Sequence, residues 1–111
     1  MKLEVSELEN GIRVIALKGS LDSNGVYSVE VDLIRHCAAG NLNVLVDLSK
    51  VRYISSIGIP MLIHAARLVM KRGGKMALLN PQRNVLEVLE LVGASQIIPI
   101  FYDLAAAKAG M

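Results

Sequence analysis

The stretch NVLVDLSKVRYISSIGIPMLIHAARLVMKR, residues 43–72, decides the fold. Residues 43–48 form a nearly continuous apolar run of strand length, which is typical of a strand covered on both faces. A second short apolar piece follows at residues 51–54. From about Gly58 to Arg72 apolar residues recur at helical spacing, and the predicted buried side comprises Ile59, Leu62, Ile63, Ala66, Val69 and Met70. The sequence therefore predicts a central strand followed by a helix that packs on the sheet.

Two serines, Ser55 and Ser56, stand directly before this predicted helix. A serine in that place commonly caps the helix, because its hydroxyl accepts a hydrogen bond from a free backbone N–H and stabilises the helix by about 1 kcal/mol. The alternative is a regulated hydroxyl, since a phosphate there would face the same N–H groups and the positive end of the helix dipole. Spacing alone favours the cap, because serine is a favoured N-cap residue in any protein.

The pattern upstream of this stretch predicts a hairpin and a helix. Residues 2–8 alternate apolar and polar side chains, as in an edge strand, and Asn10-Gly11 favours a tight turn into a strand at residues 12–18. Ser23 and Asn24 are the candidate caps of the helix. Its predicted buried side comprises Val26, Val29, Leu33 and Cys37, and its predicted end is Ala39-Gly40-Asn41.

Strands and helices alternate downstream. A short strand is predicted at residues 75–79 and a final short extended piece at residues 97–102. Helices are predicted at residues 82–92 and 103–109, the last one capped by Asp103. The buried stripe of the first of these helices is predicted to comprise Val85, Val88, Leu89 and Val92. A hairpin followed by alternating strands and helices predicts an α/β fold, with a mixed β-sheet packed with about four helices.

Length and composition limit the possible functions. The 111 residues have room for one domain, residues 1–111. The 12 basic and 10 acidic residues nearly balance and the basic ones are scattered, so no nucleic-acid partner is expected. No apolar run reaches the roughly 20 residues of a bilayer span, and the first residues, Met-Lys-Leu-Glu-Val, include an acidic residue and lead into no long apolar stretch, so we expect no signal peptide. We therefore expect a cytoplasmic protein without membrane insertion.

Common catalytic and cofactor sites have no support in the sequence. The Gly-Gly-Lys at residues 73–75 follows a helix and precedes a strand, the reverse of the order in phosphate-binding loops. His36, Cys37 and His64 are not at metal-ligand spacing. A hydrolase would need a base for Ser56, but His64 lies about two helical turns away, roughly 12 Å in rise. We therefore expect no catalytic residue, no cofactor and no metal.

The segment VLVDLSKVRYISSIGIPMLIHA, residues 44–65, resembles the STAS family, the domain of sulphate transporters and anti-sigma factor antagonists. In that family a strand leads to an Asp-Ser-Ser/Thr-Gly-type turn and a helix. The resemblance covers nearly the whole chain, and Gly-Ser-Leu-Asp at residues 19–22 is similar to the family's Gly-Glu-Leu-Asp after the second strand. Placing Gly58 on the family glycine puts Ser56 on the phosphoacceptor serine.

The chain departs from the family pattern at three positions. Ser55 stands where the family most often has aspartate. Ile57 stands where a second small hydroxyl residue is common, and Pro60 where a small residue is usual. Each departure concerns the role of a single residue and leaves the implied fold unchanged.

The resemblance implies a regulatory binding protein, an anti-sigma factor antagonist that catalyses no reaction. Its implied partners are an anti-sigma factor of the GHKL-type serine kinase class, which phosphorylates the acceptor serine, and a PP2C-type phosphatase that restores the hydroxyl. We expect the partner to contact Asp22, Ser55, Ser56, Ile57, Gly58, His64 and Arg67. For His64 and Arg67 on the solvent side of the helix, a simple solvated stripe is the alternative.

A second hypothesis comes from another functional class. In it the same fold is a constitutive STAS-type accessory subunit of a transporter or signalling assembly. Ser56 is then only a helix cap and is not phosphorylated.

Overall fold

Five strands and four helices make up the fold in a computed structural model, which describes residues 1–8, 10–40 and 42–111. In chain order they are β1 (Lys2–Glu7), β2 (Ile12–Leu21), α1 (Ser23–Ala38), β3 (Asn43–Ile54), α2 (Gly58–Lys71), β4 (Met76–Leu79), α3 (Arg83–Leu91), β5 (Ile100–Phe101) and α4 (Leu104–Gly110). The sheet order is β1-β2-β3-β4-β5. β1 pairs antiparallel with β2, and all other pairs are parallel. The predicted α/β fold with a mixed sheet, and its hairpin, are confirmed.

The central strand β3 is longer than predicted. The two apolar pieces at residues 43–48 and 51–54 belong to one strand of 12 residues. Its pairing with β2 shifts register between Ala16 and Lys18, so the polar residues between the two pieces are accommodated without ending the strand. β4 pairs with β3 only from Val44 to Asp47. We call residues 48–54, which have β2 as their neighbour but not β4, the β3 extension.

Helices cover the two faces of the sheet unequally. α1, α2 and α3 pack on one face, where the main core includes Ile15, Leu33, Val46, Leu62 and Leu89. α4 packs on part of the other face, over a smaller apolar cluster of Ile12, Leu45, Ala77, Leu79 and Ala107. The rest of that second face, formed by β1, β2 and the β3 extension, carries exposed lysines.

α1 begins directly after β2. Its cap is Asp22, whose carboxylate accepts a hydrogen bond from Gly25 N–H at 2.9 Å, and not Ser23 or Asn24 as predicted. The reason is that β2 runs three residues beyond its predicted end, to Leu21, so Asp22 is the first residue after the strand. The four residues predicted to be buried are all buried. The last residue of α1 is Ala38, one residue before the predicted end at about Ala39, and Ala39 is its C-cap, whereas Asn41 lies outside the described residues.

Two residues predicted to be buried lie at helix ends and are exposed. Met70 in the last turn of α2 is 46% exposed, and Val92, just after α3, is 53% exposed. Met61 and Ala65 are buried instead, because α1 packs beside α2 and widens the covered side of that helix. In the described part of the chain, no helix has the length and apolarity needed to cross a membrane.

The last elements follow the prediction in order but not in length. Within the extended piece predicted at residues 97–102, only the two residues of β5 form a strand. α4 is capped by Asp103 as predicted, since its carboxylate accepts from Ala106 N–H at 2.7 Å.

Candidate functional site

The carboxyl ends of β2 and β3 lie side by side. Leu21 pairs with Ile54 as the last residue of each strand, so Asp22 and Ser55 follow at the same edge of the sheet. Ser55 is tied to the neighbouring strand, because its backbone N–H and its hydroxyl both donate to the Leu21 carbonyl oxygen at 3.0 Å. The chain is thereby held where it leaves β3.

Residues 55–58 form a turn between β3 and α2, which we call the serine turn. Gly58 N–H donates to the Ser55 carbonyl oxygen at 3.0 Å and closes it. Ser56 and Ile57 lie at its tip, where Ser56 is exposed and Ile57 is 47% exposed. The Ser56 hydroxyl takes part in none of the hydrogen bonds found among the described residues. It is therefore accessible to another protein.

Neither serine caps α2. The N-cap position is Ile57, which has no side-chain cap bond, and Ser55 already uses its hydroxyl at Leu21. The prediction of a serine cap is wrong, because the serine turn places both hydroxyls ahead of the cap position.

Two glycines allow the helices to approach the strand ends closely. A Cβ on Gly58 would lie 3.0 Å from Cγ1 of Ile54 and 3.2 Å from the Leu21 carbonyl oxygen. A Cβ on Gly25 would overlap the carbonyl oxygen of Ser20. Because glycine has no Cβ, the first turns of α1 and α2 can rest against β2 and β3.

The exposed face of α2 continues from the serine turn. His64, Arg67 and Lys71 are exposed, as predicted. A shallow surface groove borders this face and is lined by Ile59, Pro60, Ile63, His64 and Arg67. An apolar floor with a basic rim is suited to binding an amphipathic segment of another protein.

The predicted partner-binding residues fall into two neighbouring groups. Asp22 and residues 55–58 meet at the edge of the sheet. His64 and Arg67 lie further along α2, and the distance from Gly58 to Arg67 is about 14 Å of helix rise. His64 and Arg67 line the groove on α2, and the lining of this groove starts at Ile59, the residue after Gly58.

The model of the STAS domain family matches residues 5–107. This chain belongs to the STAS domain family. The two segments that resembled the family in the sequence also meet in space, because residues 19–22 end β2 and the serine turn is bonded to Leu21.

Several proteins similar to this STAS domain are known. BtrV of Bordetella bronchiseptica, a candidate anti-sigma factor antagonist, is 28% identical over 109 residues, which are 98% of this chain and 93% of BtrV. The anti-sigma factor antagonist SpoIIAA in its unphosphorylated form matches with a TM-score of 0.79 and 18% identity, over 97% of this chain and 95% of SpoIIAA. The phosphorylated form of Bacillus SpoIIAA matches with a TM-score of 0.72 and 17% identity, over 99% of this chain and 100% of SpoIIAA. All three comparisons extend over nearly the full length of this STAS domain.

Two side chains that support the site in this STAS domain could not be identified from the sequence. Gln82 Nε2 donates to the Ser49 carbonyl oxygen at 3.0 Å, and Asn84 Nδ2 donates to the Arg52 carbonyl oxygen at 2.7 Å. Both bonds lie along the β3 extension, where β4 no longer supplies a strand partner. In the sequence, an amide side chain near the start of a helix resembles an ordinary N-cap residue. No local signal therefore indicates that Gln82 and Asn84 bond to β3 instead.

Proposed function

We propose that this STAS domain is an anti-sigma factor antagonist that binds an anti-sigma factor in the cytoplasm and is switched off by phosphorylation at Ser56. The observation that carries the proposal is the exposed Ser56 hydroxyl at the tip of the serine turn, which makes no hydrogen bond among the described residues. BtrV and SpoIIAA, which are similar over nearly the whole chain, support the antagonist role. SpoIIAA exists in phosphorylated and unphosphorylated forms.

The proposed binding surface is the serine turn together with the groove on α2. Ile57 supplies an exposed apolar contact beside Ser56, and the groove continues it with Ile59, Ile63 and a basic rim. Association would remove these apolar groups from water, which is the main favourable contribution in most protein complexes. Asp22 and Ser55 hold the neighbouring backbone in place.

Phosphorylation can block this surface without unfolding the chain. A phosphate adds about 1.5 to 2 negative charges, which the complex would have to desolvate at its interface. In the free protein the same phosphate stays in water near the positive end of the α2 dipole. The modified domain therefore remains folded but loses its partner.

The chemistry of the switch belongs to the partners. A GHKL-type serine kinase, the anti-sigma factor itself, transfers the γ-phosphoryl group of ATP to Ser56. A PP2C-type phosphatase hydrolyses the phosphoserine and restores the hydroxyl. This chain acts as substrate and ligand and not as an enzyme.

The proposal is tested by incubating the protein with its cognate kinase and ATP, followed by intact mass spectrometry and site mapping. Wild-type protein and Ser55→Ala should each take up one phosphate at Ser56, and Ser56→Ala should take up none. In calorimetry with the kinase, Ser56→Asp should bind at least about tenfold more weakly than wild type, and Ser56→Ala should bind as well as wild type.

Two other outcomes would contradict the proposal. Phosphate found mainly on Ser55 would move the acceptor by one residue. No phosphate on either serine, with equal affinity of all variants, would favour the constitutive accessory subunit, and neighbouring transporter permease and ATPase genes would strengthen that hypothesis.

A further inference from the structure

Three lysines lie side by side across the open face of the sheet. Lys2 pairs with Lys18, and Lys18 pairs with Lys50, so they occupy one register row on three adjacent strands. Neighbouring strands are about 4.8 Å apart, which brings three positive side chains close together. Arg52, further along β3, lines a shallow depression together with all three lysines. We call these four residues the basic patch.

Folding does not explain the basic patch. All four side chains are exposed, and none of them takes part in the ion pairs found among residues 1–8, 10–40 and 42–111. Like charges opposite each other on neighbouring strands destabilise a sheet. A lysine on the edge strand, such as Lys2, can prevent unwanted strand pairing. Lys18 and Lys50 lie on inner strands, where that explanation fails.

The surroundings of the lysines define what could bind there. A second depression, distinct from the one that Arg52 lines, has a volume of about 110 Å³ and lies among the three lysines, with Glu4 and Asp47 also on its wall. It is smaller than the roughly 300–1,000 Å³ of a typical small-molecule site, and its size suits a single side chain. The two carboxylates would repel a continuous polyanion such as nucleic acid or an anionic membrane. A peptide can instead place acidic residues at the lysines and uncharged residues at Glu4 and Asp47.

We propose that the basic patch is a docking surface for an acidic, extended segment of a protein partner. Its carboxylates pair with Lys2, Lys18 and Lys50, and one side chain enters the depression between them. The patch lies on the face opposite α1, α2 and α3, so it is separate from the groove on α2. Docking here requires neither Ser56 nor its phosphorylation, and the inference does not rest on the proposed function.

A labelled peptide in which glutamate alternates with serine, followed by fluorescence anisotropy at low salt, tests the proposal. The variant Lys18→Gln with Lys50→Gln should bind the peptide about tenfold more weakly than wild type, because two ion pairs are lost. The matched control is Lys75→Gln with Lys108→Gln, which removes the same charge from exposed positions elsewhere. It should bind within about twofold of wild type. Added salt should weaken the wild-type complex.

A thermal melt accompanies the binding data. The patch variant should unfold at the same temperature as wild type or higher, since it relieves like-charge repulsion, so weaker binding cannot be attributed to misfolding. Equal affinity of the two double variants would mean that only the net charge of the protein matters, and it would overturn the proposal. A wild-type protein that does not bind the peptide would also overturn it. Tighter binding of a single-stranded oligonucleotide or of phosphatidylserine vesicles than of the peptide would overturn the class of partner.

Discussion

The two ends of the parallel strands use polar side chains in opposite ways. At the amino end, two arginines hold the last turn of α1. Arg13 Nη1 donates to the His36 carbonyl oxygen at 2.8 Å and to that of Ala39 at 3.2 Å. Arg72 donates from Nε to the Cys37 carbonyl oxygen at 2.9 Å, and from Nη2 to the Leu42 carbonyl oxygen at 2.6 Å. The final carbonyls of a helix have no partner within it, so the bonds to His36, Cys37 and Ala39 stabilise the end of α1. The bond to Leu42 ties Arg72 to the segment between α1 and β3.

At the carboxyl end, backbone bonds and one hydroxyl close the serine turn. Ser55 and Gly58 are held by bonds to Leu21 and within the turn, while Ser56 and Ile57 remain exposed. The comparison shows that arginine side chains are engaged in hydrogen bonds at the amino end, whereas at the carboxyl end Asp22 and Ser55 hold the backbone and the side chains of Ser56 and Ile57 stay exposed. Substitutions at the amino end should therefore affect folding, and exposed substitutions at the carboxyl end should affect binding.

The largest expected effect is that of Arg72→Ala. It removes two charge-assisted hydrogen bonds and leaves the carbonyls of Cys37 and Leu42 without them, which should lower the free energy of unfolding by about 3 kcal/mol. Arg72→Lys should recover less than half of the loss, because one ammonium group cannot reproduce the two-sided contact of a guanidinium. Urea unfolding of both variants measures these differences.

Arg67→Ala is the matched control on the same helix. Arg67 is exposed, and its loss should change the free energy of unfolding by no more than about 0.5 kcal/mol. An equal loss in both arginine variants would contradict the contrast between the two ends.

A pH effect should also arise at the amino end. Cys37 is fully buried, and desolvation raises the pKa of its thiol from 9.0 to about 11, although Arg72 and Arg13 act in the lowering direction. The folded protein therefore keeps the thiol proton at a pH where the unfolded chain has lost it. This contribution is fully present below about pH 9 and is lost as pH rises towards 11, and it amounts to about 2 to 3 kcal/mol.

Urea unfolding between about pH 7.5 and pH 10.5 measures this contribution. Cys37→Ala removes the titrating group, so its free energy of unfolding should fall less steeply with pH than that of wild type. Parallel pH profiles of the two proteins would show that the thiol does not titrate differently on unfolding.

Periodicity predicted the buried side of α1 in full but that of α2 only in part. Val26, Val29, Leu33 and Cys37 are buried as predicted, because they lie where α1 covers the sheet. Met70 fits the same helical spacing but lies at the end of α2, where it is 46% exposed. The covered arc of a helix depends on its neighbours, and those are fixed only in three dimensions.

The turn between β3 and α2 could be predicted from the sequence, but its bonds could not. The resemblance at residues 44–65 drew attention to Ser56 and Gly58. The bond from Ser55 to Leu21 could not be foreseen, because it joins residues 34 positions apart. No local pattern shows which hydroxyl caps a helix and which one bonds to a neighbouring strand. The basic patch is hidden in the same way, because Lys2, Lys18 and Lys50 become neighbours only through strand pairing.

Gly58→Ala should have an effect of intermediate size on the free energy of unfolding, and it should also weaken partner binding. The added methyl group would lie 3.0 Å from Ile54 Cγ1 and 3.2 Å from the Leu21 carbonyl oxygen, so α2 must shift, at a cost of about 2 kcal/mol. The shift also moves the serine turn, so affinity for the anti-sigma factor should fall together with stability. Urea unfolding and calorimetry measure the two effects, and unchanged values in both would mean that the close approach is unimportant.

The smallest effects on the free energy of unfolding are expected at the two serines. The difference between Ser55→Ala and Ser56→Ala tests whether binding and stability are separated at the carboxyl end. Ser55→Ala removes the hydroxyl bond to Leu21 but keeps the backbone bond to the same oxygen, so the free energy of unfolding should fall by about 1 kcal/mol. Ser56→Ala removes an exposed hydroxyl and should change it by less than about 0.5 kcal/mol. Phosphate uptake should show the reverse order, being retained in Ser55→Ala and abolished in Ser56→Ala. If Ser56→Ala were instead the less stable variant, its hydroxyl would have a structural role, and the separation of binding from stability at this end would fail.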